Sequence, residues 1–355
     1  MSATVEINEQ QSTAFAEQWL EALNRSGLVI LMSIGHKTGL FDTLSGMEPA
    51  PSEQIAEKAG LSARYVKEWL KAMVTGGIIE YDPSDQTYHL PPEHGICLTR
   101  EAGPENLAMI AQYIPMLASI EQQAVEAFKT GNGIAYEAYQ NFHDVMAEDS
   151  GNFAEAMLLD AVLPLSDELM KKLEAGAEVM EVGCGKGNHL KKLATHFPNS
   201  QFTGYDLSEQ AVSEANQLSE GIPNATFMQR DLSDFPSGNS YEVIFAFDAV
   251  HDQKDPAGLL KNVYRQLNPG GIFFMVDIDG SSHLENNMDH PIGPLLYTIS
   301  TLHCTPVSIA QGGEGLGTMW GVETARQLLQ EAGFLDIRED RIEGDFQNCY
   351  FICKK

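Results

Sequence analysis

The residues with the clearest chemical meaning lie in EVMEVGCGKGNHLKKLATHF, 178–197. A short apolar run, 178–182, enters Gly183-Cys184-Gly185-Lys186-Gly187, and a helical pattern follows. Glycines at a strand-to-helix turn let the backbone approach a ligand closely and aim N–H groups at it. Dinucleotide folds space these glycines G-x-G-x-x-G beside a pyrophosphate. Here the third glycine comes one residue early, and Glu181 stands two residues before the first. A carboxylate there repels a pyrophosphate and suits an ammonium or a sulfonium.

Acids recur where later strands should end. QFTGYD ends in Asp206, with Leu207 next and 19 residues after Gly187. A carboxylate at that point accepts both hydroxyls of a ribose. ATFMQRDL ends in Asp231 and Leu232, placed to meet an exocyclic amine and a flat ring. YEVIFAFDAVHD ends its apolar run at Phe247-Asp248, and Asn268-Pro269-Gly270-Gly271 precedes IFFMVDI. For each acid alone a solvated strand end is the commoner explanation. Their order and spacing together are hard to obtain by accident.

The elements that must position these residues fall into three regions. Residues 1–100 read as helices and a hairpin, 101–172 as helices alone, and 173–355 as alternating strands and helices of a doubly wound α/β sheet. In the first region, helical segments cover 13–23 and 28–44, and a short helix opens at Pro51-Ser52 and closes at Gly60. Ser62 can cap the next helix, where Val66, Trp69, Leu70, Met73 and Val74 share one face. IIEY and TYHL then flank the turn sequence DPSD. Helix, turn, helix and two-stranded wing resemble a winged helix. Arg64, Lys67 and Lys71 would be its DNA contacts, but residues 1–100 hold 7 Lys/Arg against 13 Asp/Glu. A dimerisation or substrate-covering role is therefore favoured, because phosphate contacts carry most nucleic-acid affinity.

On these residues the segment 178–355 resembles a class I S-adenosylmethionine-dependent methyltransferase. The whole chain resembles bacterial small-molecule methyltransferases that carry an N-terminal winged helix. The resemblance implies a Rossmann-like seven-stranded sheet closed by an antiparallel hairpin, which FLDIRED and NCYFICK fit. It implies that Glu181, Gly183, Gly185 and Gly187 hold the methionine end of S-adenosylmethionine. Asp206 and Leu207 would take the ribose, Asp231 and Leu232 the adenine, and Phe247 the end of the fourth strand. By the same analogy a homodimer forms through the winged-helix domain.

Methyl transfer from a sulfonium is an in-line displacement that depends mainly on positioning. His251-Asp252, three residues past the fourth strand, is the candidate acceptor-side pair. Plant-type O-methyltransferases have a similar His-Asp whose histidine is the base, although many class I sequences carry a histidine here without catalytic use. About 40 residues, 280–321, separate the fifth strand from the next clear helix, well beyond an ordinary connection. They include QGGEGLGTMWG, with five glycines in eleven residues. This segment reads as a lid or, alternatively, as an insertion used in dimer contacts. Tyr139, His303 and Trp320 are candidate pocket walls. Tyr136, Tyr139, Phe142 and His143 either line that pocket or simply pack between helices. His283, His290, His303 and Glu314 match no zinc spacing, so no metal is expected.

Composition narrows the function classes. Of 355 residues, 22 are Lys or Arg and 50 are Asp or Glu, a net charge of −28. Such a surface repels nucleic acid and anionic membrane. There is no membrane-length apolar run and no secretory leader, and five scattered cysteines make no disulfide framework. Cys349 and Cys353 read as core thiols. The expectation is a cytoplasmic enzyme that methylates an O, N or S atom of a small, partly aromatic or apolar molecule. The rival is a winged-helix transcriptional regulator whose methyltransferase-like half senses the cofactor. Methylation of RNA is disfavoured by charge and of protein by a lidded pocket. A nicotinamide cofactor would require a different glycine spacing.

Overall fold

The computed structural model describes residues 7–232 and 240–355. The chain divides into two compact units, one ending at Pro115 and the other spanning Met116–Lys355. The helical stretch expected over 101–172 is thereby parted between them.

In the first unit, α1 (Glu9–Lys37) starts where Asn8 Oδ1 accepts the Gln11 N–H at 3.1 Å. It runs straight through Gly27, where two helices were expected. A helix interior tolerates a glycine at about 1 kcal/mol, and 29 residues of context outweigh that. The break comes instead at Gly39 (φ 69°), before α2 (Leu40–Ser45). α3 (Ser52–Ala59) ends at Gly60 as expected, and α4 (Ala63–Thr75) follows. Ser62 occupies the cap position of α4 without a side-chain hydrogen bond. Val66, Trp69, Leu70 and Met73 are buried on one face of α4, while Val74 stays partly exposed. β1 (Glu80–Asp82) pairs antiparallel with β2 (Thr87–His89), and Asp82 Oδ1 accepts from the Ser84 N–H across the turn. Arg64 and Lys71 pair with Glu68, and Lys67 with Glu53, so each cation of α4 faces a carboxylate.

The second unit begins with helices, of which α5 (Phe142–Phe153) widens into a π-helix over Ala154–Val162. α6 (Asp167–Ala175) leads into the sheet: β3 (Glu178–Val182), α7 (Asn188–His196), β4 (Gln201–Asp206), α8 (Glu209–Leu218), β5 (Ala225–Gln229), β6 (Tyr241–Phe247), α9 (Pro256–Gln266) and β7 (Leu267–Ile278). After β7 comes α10 (Gly293–Ile299), which passes through a wide π-turn, Ser300–Cys304, into a last helical stretch, Thr305–Ala310. α11 (Val322–Ala332), β8 (Asp336–Asp340) and β9 (Asn348–Lys354) complete the unit.

The strand order is β5-β4-β3-β6-β7-β9-β8, parallel except for β9, which runs antiparallel to both neighbours. This is the Rossmann-like seven-stranded sheet that the sequence implied. Successive strand residues point to opposite faces. Val179, Phe245 and Phe274 enter one apolar core, and their neighbours Met180, Ile244 and Phe273 enter the other. Burial on both faces explains why these strands read as continuous apolar runs. The order reverses at β3, between β4 and β6, and the crevice outside such a reversal is where open α/β sheets bind ligands.

α1 supplies a paired test of packing against propensity. A Cβ on Gly35 would lie 2.6 Å from the Trp69 ring and 2.7 Å from that of Phe41, whereas one on Gly27 would meet nothing within 4 Å. Gly27→Ala should stabilise the unit by about 0.5–1 kcal/mol, and Gly35→Ala should destabilise it by about 1–3 kcal/mol. Urea midpoints moving in opposite directions are the expected result; a parallel rise would mean that the Gly35 contact is not tight.

Candidate active site

The sheet reversal brings three strand ends together. After β3 the chain turns through Gly183 (φ 69°), Gly185 (φ 51°) and Gly187 (φ 75°), the last capping α7. The Gly183 and Cys184 N–H groups both reach Tyr205 O, at 2.9 and 3.0 Å, and lash the loop to β4. Gly185 has open space where a Cβ would stand, so its left-handed backbone is what requires glycine there. A Cβ on Gly187 would strike the Phe227 ring at 2.4 Å, the close packing expected of the third glycine.

Asp206 ends β4 and holds the loop. Its Oδ2 accepts the Gly185 N–H at 2.8 Å and its Oδ1 the Ser208 N–H at 2.9 Å. Each oxygen keeps a lone pair for a further donor. Glu181 is 1% exposed. Its Oε1 accepts from His189 Nδ1 at 2.9 Å, while the buried Oε2 has no partner. Burial raises the Glu181 carboxyl above its ordinary range, opposed by His189. The His189 ring stacks on Phe247 at 4.0 Å, so the end of β6 fixes the partner of the β3 acid. Lys186 reaches Asp144 at 2.7 Å and Glu214 at 2.5 Å, and Asn188 donates to Ala147 O at 2.7 Å, tying α5 across the loop.

The other residues that the sequence suggested for the cofactor are less uniform. Leu207 is exposed and Leu232 is buried in the core beside Tyr205 and Val250. Asp231 lies two residues beyond the end of β5, and its Oδ2 pairs with Lys254 at 2.6 Å. Sequence reasoning did not foresee that cation.

The second group forms after β6. Asp248 adopts φ 48°, and His251 follows, 4% exposed. His251 Nδ1 donates to Asp277 Oδ1 at 2.8 Å, and its Nε2 faces Asp252 Oδ1 at 3.4 Å. Burial pushes this imidazole down, but Asp277 and Asp252 outweigh it and hold it well above its ordinary range. Trp320 Nε1 donates to the same Asp277 oxygen at 2.9 Å, so Trp320 braces the acid and packs in the core beside it. Tyr139 and His303 do come together: their rings are 4.8 Å apart, and the Tyr139 hydroxyl donates to Leu302 O at 2.7 Å. Phe142 stacks on His303 at 4.3 Å, and Tyr136 closes on the same ring at 5.5 Å. Burial lowers the His303 imidazole to about 4, keeping it neutral.

His303 and Cys304, adjacent in the π-turn, are both buried. Cys304 Sγ lies 2.8 Å from Thr318 Oγ1 and 3.7 Å from His303 Nδ1, and burial raises the thiol to about 11. The glycine-rich stretch packs closely: a Cβ on Gly317 would lie 2.2 Å from Ser300 Oγ, and one on Gly321 2.0 Å from Ser282 N. Gly317 and Gly321 thus permit close backbone approach, whereas Gly312 has open space where a Cβ would stand. His189, Asp277 and Cys304 were missed. A carboxylate inside the apolar run IFFMVDI was the available signal for Asp277.

Two family models match the chain. Residues 26–100 match an Rv2258c-like winged HTH domain and residues 173–333 a methyltransferase domain. Among curated proteins, trans-aconitate 2-methyltransferase of Acidovorax sp. strain JS42 is 27% identical over 155 residues, 44% of this chain and 56% of that protein. Cycloartenol-C-24-methyltransferase 1 of Oryza sativa subsp. japonica is 30% identical over 166 residues, 46% of this chain and 44% of that protein. The chain spans about half the length of the curated relatives it matches. Among solved structures, human N-acetylserotonin methyltransferase in complex with SAM superposes with a TM-score of 0.69 at 16% identity, covering 100% of this chain and 99% of that one. The mitomycin 7-O-methyltransferase MmcR does so at 0.70 and 16%, covering 98% and 100%. The chain thus carries a methyltransferase domain of the class I, Rossmann-like type behind an Rv2258c-like winged helix-turn-helix domain.

Proposed function

We propose that this chain is an S-adenosylmethionine-dependent methyltransferase acting on an O, N or S atom of a small molecule. The observation that carries the reading is Glu181. A buried carboxylate oxygen with no partner, two residues before a glycine loop at the sheet reversal, calls for a cationic donor. The amino group of the cofactor's methionine end is such a donor, and Asp206 has lone pairs to spare for ribose hydroxyls. Leu207, Asp231, Leu232 and Phe247 complete the nucleoside side of this reading, with Asp231 shared between Lys254 and the adenine amine. The cofactor supplies an electrophilic methyl on a sulfonium. The chain's part is to hold the acceptor in line, exclude water and manage the acceptor's proton.

His251 and Asp252 take the acceptor side: His251 orients the acceptor or accepts its proton, and Asp277 fixes the ring through Nδ1. Tyr136, Tyr139, Phe142 and His303 offer ring faces and edges, which favours a flat or apolar acceptor. Trp320 contributes by bracing Asp277. The regulator reading fares worse, because the cations of α4 are already paired with carboxylates. A homodimer through the first unit accords with the row of exposed apolar side chains on α1, Phe15, Trp19 and Leu23, spaced four apart. No helix among the described residues is long and apolar enough to cross a membrane. The five cysteines are free thiols, in keeping with a reducing, cytoplasmic setting.

Two outcomes test the reading. Asp206→Ala should lower S-adenosylhomocysteine affinity, measured by calorimetry, at least tenfold with the circular dichroism spectrum unchanged; equal affinity would reject the cofactor assignment. His251→Ala should lower kcat on the order of 10²-fold while leaving the cofactor Kd within about twofold. An unaltered kcat would remove His251 from the acceptor side.

A further inference from the structure

We propose that His251, Asp252 and Cys304 form a binding site for zinc or a similar borderline-soft dication. One nitrogen, one carboxylate oxygen and one sulfur from these residues lie within 4.8 Å of one another. Ligand atoms around tetrahedral zinc stand about 3.3–3.8 Å apart, given bonds of about 2.0–2.3 Å. The cluster therefore needs to close by only about 1 Å at its widest. The inference stands on this geometry, whether or not the methyltransferase reading holds.

Three features separate this cluster from a histidine held simply as a base. A base needs a carboxylate behind it and a free Nε2 in front. Here Nε2 faces a second carboxylate at 3.4 Å, and that oxygen, Asp252 Oδ1, is buried with no hydrogen-bond partner. The outer contacts are those a metal ligand requires. His251 gives its other N–H to Asp277, which Trp320 holds in place, fixing the tautomer that leaves Nε2 free to ligate. Cys304 Sγ lies 2.8 Å from the Thr318 hydroxyl, which can donate to a thiolate. The charges also balance: carboxylate, thiolate and neutral imidazole cancel a dication. Binding releases to solvent the thiol proton and the proton held between His251 and Asp252.

The donor set, one N, one O and one S, selects zinc over magnesium or calcium. Three protein ligands leave one tetrahedral position. His303, whose Nδ1 lies 3.7 Å from Cys304 Sγ and 3.8 Å from Asp252 Oδ2, stands beside the cluster. On the methyltransferase reading with the dication bound, His251 orients the acceptor as a ligand and does not act as base: a thiol or hydroxyl acceptor takes the open position and its proton passes to solvent.

The full chain, stripped with a chelator and titrated with Co²⁺, provides the test. One equivalent should bind, with the visible bands of tetrahedral cobalt and a thiolate-to-cobalt charge-transfer band. Cys304→Ser should abolish the charge-transfer band, Asp252→Asn should weaken Co²⁺ at least tenfold, and Cys97→Ser should change neither. Zn²⁺ should also protect Cys304 of the unaltered chain from alkylation, read by peptide mass spectrometry, which needs no variant to fold. No charge-transfer band in the unaltered chain, its survival in Cys304→Ser, an unchanged Asp252→Asn affinity or unprotected Cys304 each overturns the site. S-adenosylhomocysteine calorimetry on the same samples reports the cofactor reading separately, so failure of one is not mistaken for failure of the other.

Discussion

Three carboxylates, Glu181, Asp252 and Asp277, have oxygens shut away from water beside the C-terminal ends of β3, β6 and β7, each with one oxygen lacking a protein donor. Desolvation makes such groups costly unless a donor or a cation meets them. The surroundings of each follow from that constraint. Glu181 recruits His189, which is held flat by Phe247. Asp277 draws two donors, the His251 ring and the Trp320 indole, onto one oxygen. Asp252 has the edge of His251 at 3.4 Å and that of His303 at 3.8 Å. What the chain leaves unmet at these acids is what a bound cationic group would supply. The C-terminal ends of β3, β6 and β7 thus share buried negative charge.

The parts of this arrangement that the sequence reveals are the local ones. β3, β4 and β9 fall where their apolar runs predicted, and the glycine loop turns as its spacing implied, because strand period and positive φ are properties of short segments. Residues that act through distant partners were harder to read. Asp231 read as an acid placed to meet an exocyclic amine, and its pairing with Lys254, 23 positions away, had no local sign. The bond from the Trp320 indole nitrogen to Asp277, 43 positions back, had no local sign either. The close packing at Gly317 and Gly321 had no sequence sign, because sequence alone does not distinguish a glycine that permits bending from one that makes room. α1 was split in two because a lone glycine was given more weight than 29 residues of helical context warrant.

The first unit carries a winged helix-turn-helix domain whose cations on α4 are paired with carboxylates. α4 occupies the position of a recognition helix and keeps three cations, yet Glu53 and Glu68 sit against them on an exposed face. Such pairs add little to stability. They also lower the positive field that each cation presents to solvent.

The wide turn at Ser300–Cys304 has a bearing on how this chemistry could arise or vanish. Consecutive side chains of an ordinary α-helix diverge by about 100°, so an imidazole and a thiol side by side in sequence would face different ways. A π-turn holds one residue more than the α-helix it interrupts. Loss of a single codon in that stretch would restore the common helical pitch, swing the thiol away from Asp252 and leave the sheet, the glycine loop and Asp206 untouched. On the proposed reading, one short in-frame deletion there would alter the surroundings of the acceptor independently of the residues assigned to the nucleoside.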